Sequence, residues 1–152
     1  MVRIIRAAAV AGALFMTLGT GPCATFGGLD WTGTKRDLTD TQLKYVHFLR
    51  WGEYHAASML VQEDSRQTFL DEIDALKQVR LSDYDVLETI FNATGTEATV
   101  TCTFSAYNMA RLIEHTWMEE QIWVKDSVRG DWKVKPDIEK IRGALAEMEP
   151  AQ

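Results

Sequence analysis

An alternation of apolar and hydroxyl side chains near the middle of the chain constrains the fold most. From Val100 to Ala106 every second residue is apolar, and each residue between them carries a hydroxyl group. A period of two residues is typical of a β-strand with one face in a core and the other towards solvent. Valine and threonine are β-branched and favour extended backbone, so the residue types in this segment also favour a strand. The sequence therefore predicts a strand from Ala98, with Cys102 on its apolar side.

A second strand, paired with the first as a β-hairpin, is predicted from Ile113 to Lys125. Its two alternating sets of positions differ in character, because one set carries both tryptophans and the other carries Met118, Ile122 and Val124. The first set is Ile113, His115, Trp117, Glu119, Gln121 and Trp123, and the second includes Met118, Ile122 and Val124. Alternation does not decide which set faces the core. Either the tryptophans line a concave surface, or Met118, Ile122 and Val124 are buried and the polar groups form a solvated face.

Helices are predicted before these strands and short elements after them. A first helix is expected from Asp37, capped by Thr39, to Val61 with an interruption at Gly52, and Ser65 is expected to cap a second helix. The remaining predicted elements are a strand from Val79 to Phe91, a turn from Asn92 to Thr96, a short strand from Trp132 to Val134, and a polar, loosely attached helix from Asp137 to Glu147. This order predicts an α+β fold, with N-terminal helices packed on a curved antiparallel four-stranded meander.

The N-terminus has the pattern of an export signal. Two arginines, Arg3 and Arg6, precede an uncharged stretch from Ala7 to Leu18, and small residues follow up to Cys23. This order of charged, apolar and small segments is typical of a cleaved leader. Twelve residues rise only about 18 Å as a helix, which is too short to span a bilayer. The predicted organisation is a signal peptide at 1–22, a tether at 23–36, a domain at 37–135 and a polar helix or tail at 136–152.

The position of Cys23 directly after the apolar stretch resembles the bacterial lipoprotein signal. That resemblance implies acylation of the Cys23 sulfur and a lipid that anchors the domain to a membrane surface. Ala24 in the following position implies sorting to the periplasmic face of the outer membrane. The alternative is ordinary signal cleavage, for example after Ala24, which leaves a periplasmic protein without lipid.

The sequence contains two cysteines, Cys23 and Cys102. In an oxidising compartment a disulfide between them is possible. The apolar neighbours of Cys102 instead predict a buried and unreactive thiol. Neither cysteine belongs to a metal-binding or redox spacing.

Composition and motifs argue against several classes of function. The net charge is −6 and the basic residues are scattered, which disfavours nucleic acid as a partner. No hydrolase, zinc-protease, phosphate-binding or dinucleotide-binding motif occurs in the sequence. The sequence therefore predicts no metal and no cofactor.

Three segments stand out within this order of elements: Tyr45–Trp51 in the first helix, Asp83–Val86 in the first strand, and Gln121–Trp123 followed by Trp132. Together with the order of elements, they resemble the NTF2-like (cystatin-like) α+β superfamily, in particular small bacterial envelope proteins with a cone-shaped fold. The resemblance covers about residues 37 to 135. The superfamily includes isomerases, dehydratases, ligand carriers and structural modules, so the fold alone does not imply a function.

Two functional hypotheses follow. The preferred one is a membrane-tethered, non-enzymatic binding or scaffold domain that engages an envelope protein or a small apolar ligand. It rests on the predicted lipid at Cys23 and on five tryptophans, which either form an interface or fill the wide end of the sheet. The residues expected to contact the partner or ligand are Trp117, Glu119, Gln121 and Trp123. The alternative is an isomerase- or dehydratase-like enzyme in which His115 works with Asp83 or Tyr107.

Overall fold

The computed structural model describes residues 31–110 and 112–148, and the side chains of 33–72, 77–110 and 112–148. Its elements in chain order are the helices α1 (Trp31–Trp51), α2 (Tyr54–Ser58) and α3 (Glu63–Leu76), the strands β1 (Val79–Phe91), β2 (Glu97–Asn108), β3 (Glu114–Lys125) and β4 (Trp132–Lys135), and the helix α4 (Ile138–Met148). Helices followed by a four-stranded sheet confirm the predicted α+β class. The predicted signal peptide and Cys23 lie outside the described residues.

The four strands form one antiparallel sheet in the order β1-β2-β3-β4. The predicted hairpin is confirmed, because β2 pairs with β3 from Glu97–Val124 to Tyr107–Glu114. The predicted turn before it is also present, and there the Asn92 side chain accepts the backbone N–H groups of Thr96 and Glu97. Gly95 in this turn has a φ of 68°.

The helices cover one side of the sheet, here called the inner face. Val100, Cys102 and Phe104 of β2 point to that side and are buried. Tyr45 of α1 touches the ring of Trp123 edge-on at 5.9 Å between centroids and lies 6.2 Å from the ring of Phe69 on α3. The predicted apolar side of β2 is therefore the core side. The opposite side of the sheet is called the outer face below.

Helix α1 begins and ends at positions that differ from the prediction. It begins at Trp31, so residues 31–36 of the predicted tether are helical. Thr39 lies within the helix and donates its hydroxyl to the Lys35 carbonyl at 2.9 Å instead of capping the N-terminus. The helix ends at Trp51 and is followed by Gly52, whose φ of 73° lies in the left-handed region. There Glu53 N–H bonds to the Phe48 carbonyl, a Schellman closure that glycine permits.

The chain after Gly52 is not a continuation of α1. It forms the short helix α2 and then a segment, Leu60–Gln62, that pairs with the edge of β4. In that pairing Gln62 N–H bonds to the Val134 carbonyl and Val134 N–H bonds to the Leu60 carbonyl, both at 2.8 Å. Helix α3 then begins at Glu63, two residues before the predicted cap Ser65, whose hydroxyl instead bonds to Asp64.

Helix α4 is part of the packed structure rather than a loose tail. It lies against β3 and α3, and Ile141, Ala144, Leu145 and Met148 are buried. Arg142 on its exposed side forms an ion pair with Glu72 of α3. Because these four apolar residues repeat at helical spacing, they bury one side of an otherwise polar helix.

Among the described residues, no helix has both the length and the apolar composition required to cross a membrane.

Candidate functional site

The aromatic and polar positions of β3 face the helices. The register pairs Glu119 with Cys102 and Trp123 with Ala98, and both of these partners lie on the inner face. Met118 and Ile122 on the other parity are exposed, with 56% and 38% of their surface accessible. The interpretation in which Met118 and Ile122 were buried is therefore wrong. A carboxyl and an amide are placed in the interior instead.

Glu119, Gln121 and Trp123 form a hydrogen-bonded chain along the inner face of β3. The indole N–H of Trp123 donates to Gln121 Oε1 at 3.1 Å, and Gln121 Nε2 donates to Glu119 Oε1 at 3.0 Å. The backbone N–H of Asp137, just before α4, donates to the same Glu119 oxygen at 3.3 Å. Glu119 thereby joins the sheet to the start of α4.

Burial raises the pKa of Glu119 to about 7, because water cannot solvate the charged carboxylate there. The hydrogen bonds from Gln121 and Asp137 lower the pKa of Glu119, and so does the nearby indole of Trp117. The Trp117 N–H itself is buried and makes no hydrogen bond within the usual distance. The negative charge of Asp137 adds to the increase. Glu119 is consequently an interior acid that exchanges its proton near neutral pH.

Two tyrosines and the buried thiol surround this carboxyl. Burial, assisted by the charge of Glu119, raises the pKa values of Tyr45, Tyr84 and Cys102, so all three groups stay neutral. The Cys102 thiol donates to the backbone carbonyl of Glu119 at 3.5 Å. The structure records Cys102 as a free, buried cysteine, in agreement with the predicted inert thiol.

A small cavity of about 40 Å³, called the inner cavity below, adjoins Glu119. Tyr45, Phe69 and Phe104 form part of its wall, and Ile141 of α4 closes one side. Sites for drug-sized ligands occupy about 300 to 1,000 Å³, so the inner cavity has room for water but not for such a ligand.

The three residues of the enzymatic hypothesis do not meet. His115 pairs with Ala106 on the inner face, where its Nε2 lies 3.1 Å from a carboxylate oxygen of Glu147 on α4. Asp83 pairs with Ser105, and Tyr107 pairs with Glu114, which places both residues on the outer face. The sheet therefore separates His115 from both expected acid–base partners. The prediction that His115 works with Asp83 or Tyr107 is wrong for this structure.

The four residues expected to contact a partner lie in the interior. Glu119, Gln121 and Trp123 have 1% or less of their surface exposed, and Trp117 is partly buried. A protein partner on the surface does not reach the three buried residues in this conformation. The tryptophans divide between two roles, because Trp123 and Trp132 fill the core whereas Trp51 is 63% exposed.

Sequence reasoning missed two contributors to this site, which are Tyr45 and the backbone of Asp137 just before α4. Tyr45 lies at helical spacing from Leu38 and Leu49, which was the available signal for its burial. No local pattern indicates that Asp137 N–H reaches Glu119, because that contact depends on how α4 docks. Within the described part of the chain, no group of three or more His, Cys, Asp or Glu side chains could hold a metal ion.

Comparison with protein-family models gives no match, and comparison with curated protein sequences gives none either. Solved structures do match. An NTF2-like protein from Cytophaga hutchinsonii aligns with a TM-score of 0.51 at 13% identity, covering 66% of this chain and 91% of that one. A ketosteroid isomerase-like protein from Erwinia carotovora atroseptica aligns with a TM-score of 0.50 at 11% identity, covering 65% and 92%.

A protein of unknown function from Mycobacterium tuberculosis aligns with a TM-score of 0.54 at 12% identity, over 78% of this chain and 89% of that one. At these identities the likeness concerns the fold. The fold of this chain is similar to that of NTF2-like and ketosteroid isomerase-like proteins, which is the fold that the sequence resemblance implied.

Proposed function

We propose that this chain is a non-enzymatic binding domain of the bacterial envelope, held at the membrane by a lipid on Cys23, that engages a protein partner through its surface. The observation that carries the proposal is the occupied interior. Side chains and α4 leave an inner cavity of only about 40 Å³. The carboxyl that could serve as a catalytic base is engaged by Gln121 and by the backbone of Asp137.

The tether is supported by the leader pattern and by the single cysteine that follows it. Metabolic labelling with an alkyne analogue of palmitate tests it in cells that express the full chain. We expect label on the wild-type chain and none on the Cys23→Ser variant, with Cys102→Ser as the matched control that keeps the label. Label on Cys23→Ser, or an unlabelled wild-type chain cleaved near Ala24, would reject the anchor.

Glu119 supports a second candidate, an enzyme that moves a proton on a carbonyl compound. A carboxyl with a pKa of about 7 near two tyrosines suits proton abstraction, and one structural neighbour is described as ketosteroid isomerase-like. This candidate requires α4 to move away from the inner cavity, because no substrate fits beside Ile141.

Solvent deuterium exchange separates the two candidates. An apolar ketone with exchangeable α-protons is incubated with the chain in D₂O and followed by proton NMR. A binding domain gives the same exchange rate as Glu119→Gln and as the exposed control Glu120→Gln. Exchange that is faster with wild type and with Glu120→Gln, but lost in Glu119→Gln, would establish the enzyme instead.

A further inference from the structure

Among the described residues, the outer edges of strands β1 and β4 differ in how far other backbone segments cover them. The β4 edge is covered by Leu60–Gln62, which pairs with Val134. The β1 edge is covered only near its start, where the Arg50 guanidinium bonds to the Ser82 carbonyl at 2.8 Å. From Asp85 to Ile90, the described residues supply no backbone partner other than β2.

The uncovered part of β1 is both apolar and acidic. Val86, Leu87 and Ile90 have 43%, 56% and 57% of their surface exposed. Between Leu81 and Phe91 the sequence has three carboxylates, at Asp83, Asp85 and Glu88, and no basic residue. An uncovered strand edge presents unpaired backbone groups on which another extended segment can pair.

Charge and bulges at an edge also serve to prevent such pairing, and β1 has register shifts at Leu81/Asp83 and Val86/Glu88. Protection alone does not account for three exposed apolar side chains beside the carboxylates, because these side chains favour association. The combination repels an acidic strand and attracts a basic one. It therefore selects a partner instead of only blocking the edge.

We propose that the β1 edge from Asp85 to Ile90 is a docking site for an extended segment of a partner protein in which basic and apolar residues alternate. The backbone of that segment would add a strand to the sheet, while its basic side chains approach Asp85 and Glu88. The inference deepens the proposed function, since it names the chemistry of the partner.

Two other occupants fit the edge less well. A second copy of the chain would place the same carboxylates against each other when two β1 strands pair antiparallel. The chain between Cys23 and Asp30 has no basic residue, so it lacks the complementary charge.

The test uses the purified full chain and a short synthetic peptide of alternating lysine and valine. Affinity is measured by calorimetry, and the site is located by amide hydrogen exchange. We expect new protection at residues 85–90, and no binding of a peptide with glutamate in place of lysine. A lysine peptide with N-methylated valines should also fail to bind, because it has fewer backbone donors.

The charge contribution is tested with Asp85→Lys/Glu88→Lys against the matched pair Glu120→Lys/Asp131→Lys, which changes the net charge equally at exposed sites away from the edge. Reversing two exposed charge pairs should weaken binding about tenfold, and the control pair much less. Equal weakening by both pairs, protection outside β1, or equal binding of the glutamate peptide would overturn the proposal.

Self-association through β1 in the absence of peptide, detected by analytical ultracentrifugation and changed by Asp85→Lys/Glu88→Lys, would overturn it in favour of a second copy. Failure of the edge site leaves the proposed function standing, because palmitate labelling and deuterium exchange do not depend on β1.

Discussion

Glu119 is a carboxyl group held where water cannot stabilise its charge. Its protonated form is favoured in the folded state, since burial moves its pKa from 4.5 to about 7. The titratable groups that act on it are Tyr45 of α1, Tyr84 of β1, Cys102 of β2, and Asp137 before α4. Of these only Asp137 bears a charge near neutral pH, and that charge favours the protonated form.

The raised pKa predicts that stability falls as pH rises. Between about pH 4.5 and 7 the folded chain keeps the Glu119 proton while the unfolded chain loses it, which costs up to about 3 kcal/mol. Glu119→Gln removes this dependence and keeps an oxygen that accepts the Asp137 N–H. We expect the variant to be more stable than wild type by about 2 to 3 kcal/mol at high pH and similar at low pH.

Urea unfolding of wild type, Glu119→Gln and the exposed control Glu120→Gln at both ends of this range measures the effect. The control should follow wild type. A Glu119→Gln variant that loses as much stability with pH as wild type would contradict the raised pKa.

Cys102 is predicted to be unreactive in the folded chain. Burial raises the pKa of its thiol, and its side chain has no exposed surface. In the Cys23→Ser background, where Cys102 is the remaining cysteine, reaction with Ellman's reagent should be at least about a thousandfold slower than in urea, because it requires unfolding. Adding Ser127→Cys, at an exposed loop position, supplies a reactive thiol for reference. A Cys102 that reacts as fast as that reference would show that it is accessible.

At the scale of the elements, glycine sets where α1 ends, and the spacing of apolar residues sets which side of a helix is buried. Gly52 terminates α1 because its φ of 73° suits a residue without a side chain. Gly143 lies on the exposed side of α4, and a Cβ there would meet no atom within 4 Å. The same substitution should therefore have opposite effects at the two positions.

We expect Gly52→Ala to destabilise the chain by about 1 kcal/mol, because alanine disfavours the left-handed region. A Cβ at Gly52 would meet only ring atoms of Tyr54 at ordinary contact distances, so the cost is in the backbone. Gly143→Ala should stabilise it by about 0.5 to 1 kcal/mol through helix propensity. Urea denaturation measures both variants, and effects of equal sign would refute this account of the α1 terminus.

The docking of α4 is tested by comparing two leucines in helices. Leu145 in α4 is 8% exposed, whereas Leu43 in α1 is 59% exposed. Leu145→Ala should cost about 2 to 4 kcal/mol, and Leu43→Ala less than about 1 kcal/mol. Differential scanning calorimetry checks the difference. Similar small losses for both variants would instead support the loosely attached tail that the sequence predicted.

At the scale of the whole molecule, local signals identified the sheet better than the packing around it. The bounds of β1 were predicted because β-branched and aromatic residues extend to Phe91 and a turn signal begins at Asn92. The sequence did not decide which side of β3 faces the core. The side with the tryptophans also carries charged residues, and the other side carries Met118 and Ile122. Tertiary packing decided between them, since it buries Glu119 against the helices and brings the Asp137 N–H to its carboxyl.

The burial of α4 could have been predicted from the sequence. Ile141, Ala144, Leu145 and Met148 have the spacing of a buried helical stripe. The acidic and basic residues between them concealed it. The placement of α4 across the inner cavity, in contrast, depends on long-range contacts that no local pattern specifies.

The pairing of Leu60–Gln62 with β4 has a consequence for assembly. A sheet grows into a filament only if every added unit has two unpaired strand edges. One edge pairs with the preceding unit, and the other pairs with the next. Within residues 31–110 and 112–148 this protein leaves the β1 edge unpaired, whereas its own segment Leu60–Gln62 occupies the edge of β4, which in turn pairs with β3 from Ile122 to Lys125. Strand addition at β1 therefore meets no free β4 edge on a second unit, which disfavours a polymer built by joining β1 to β4.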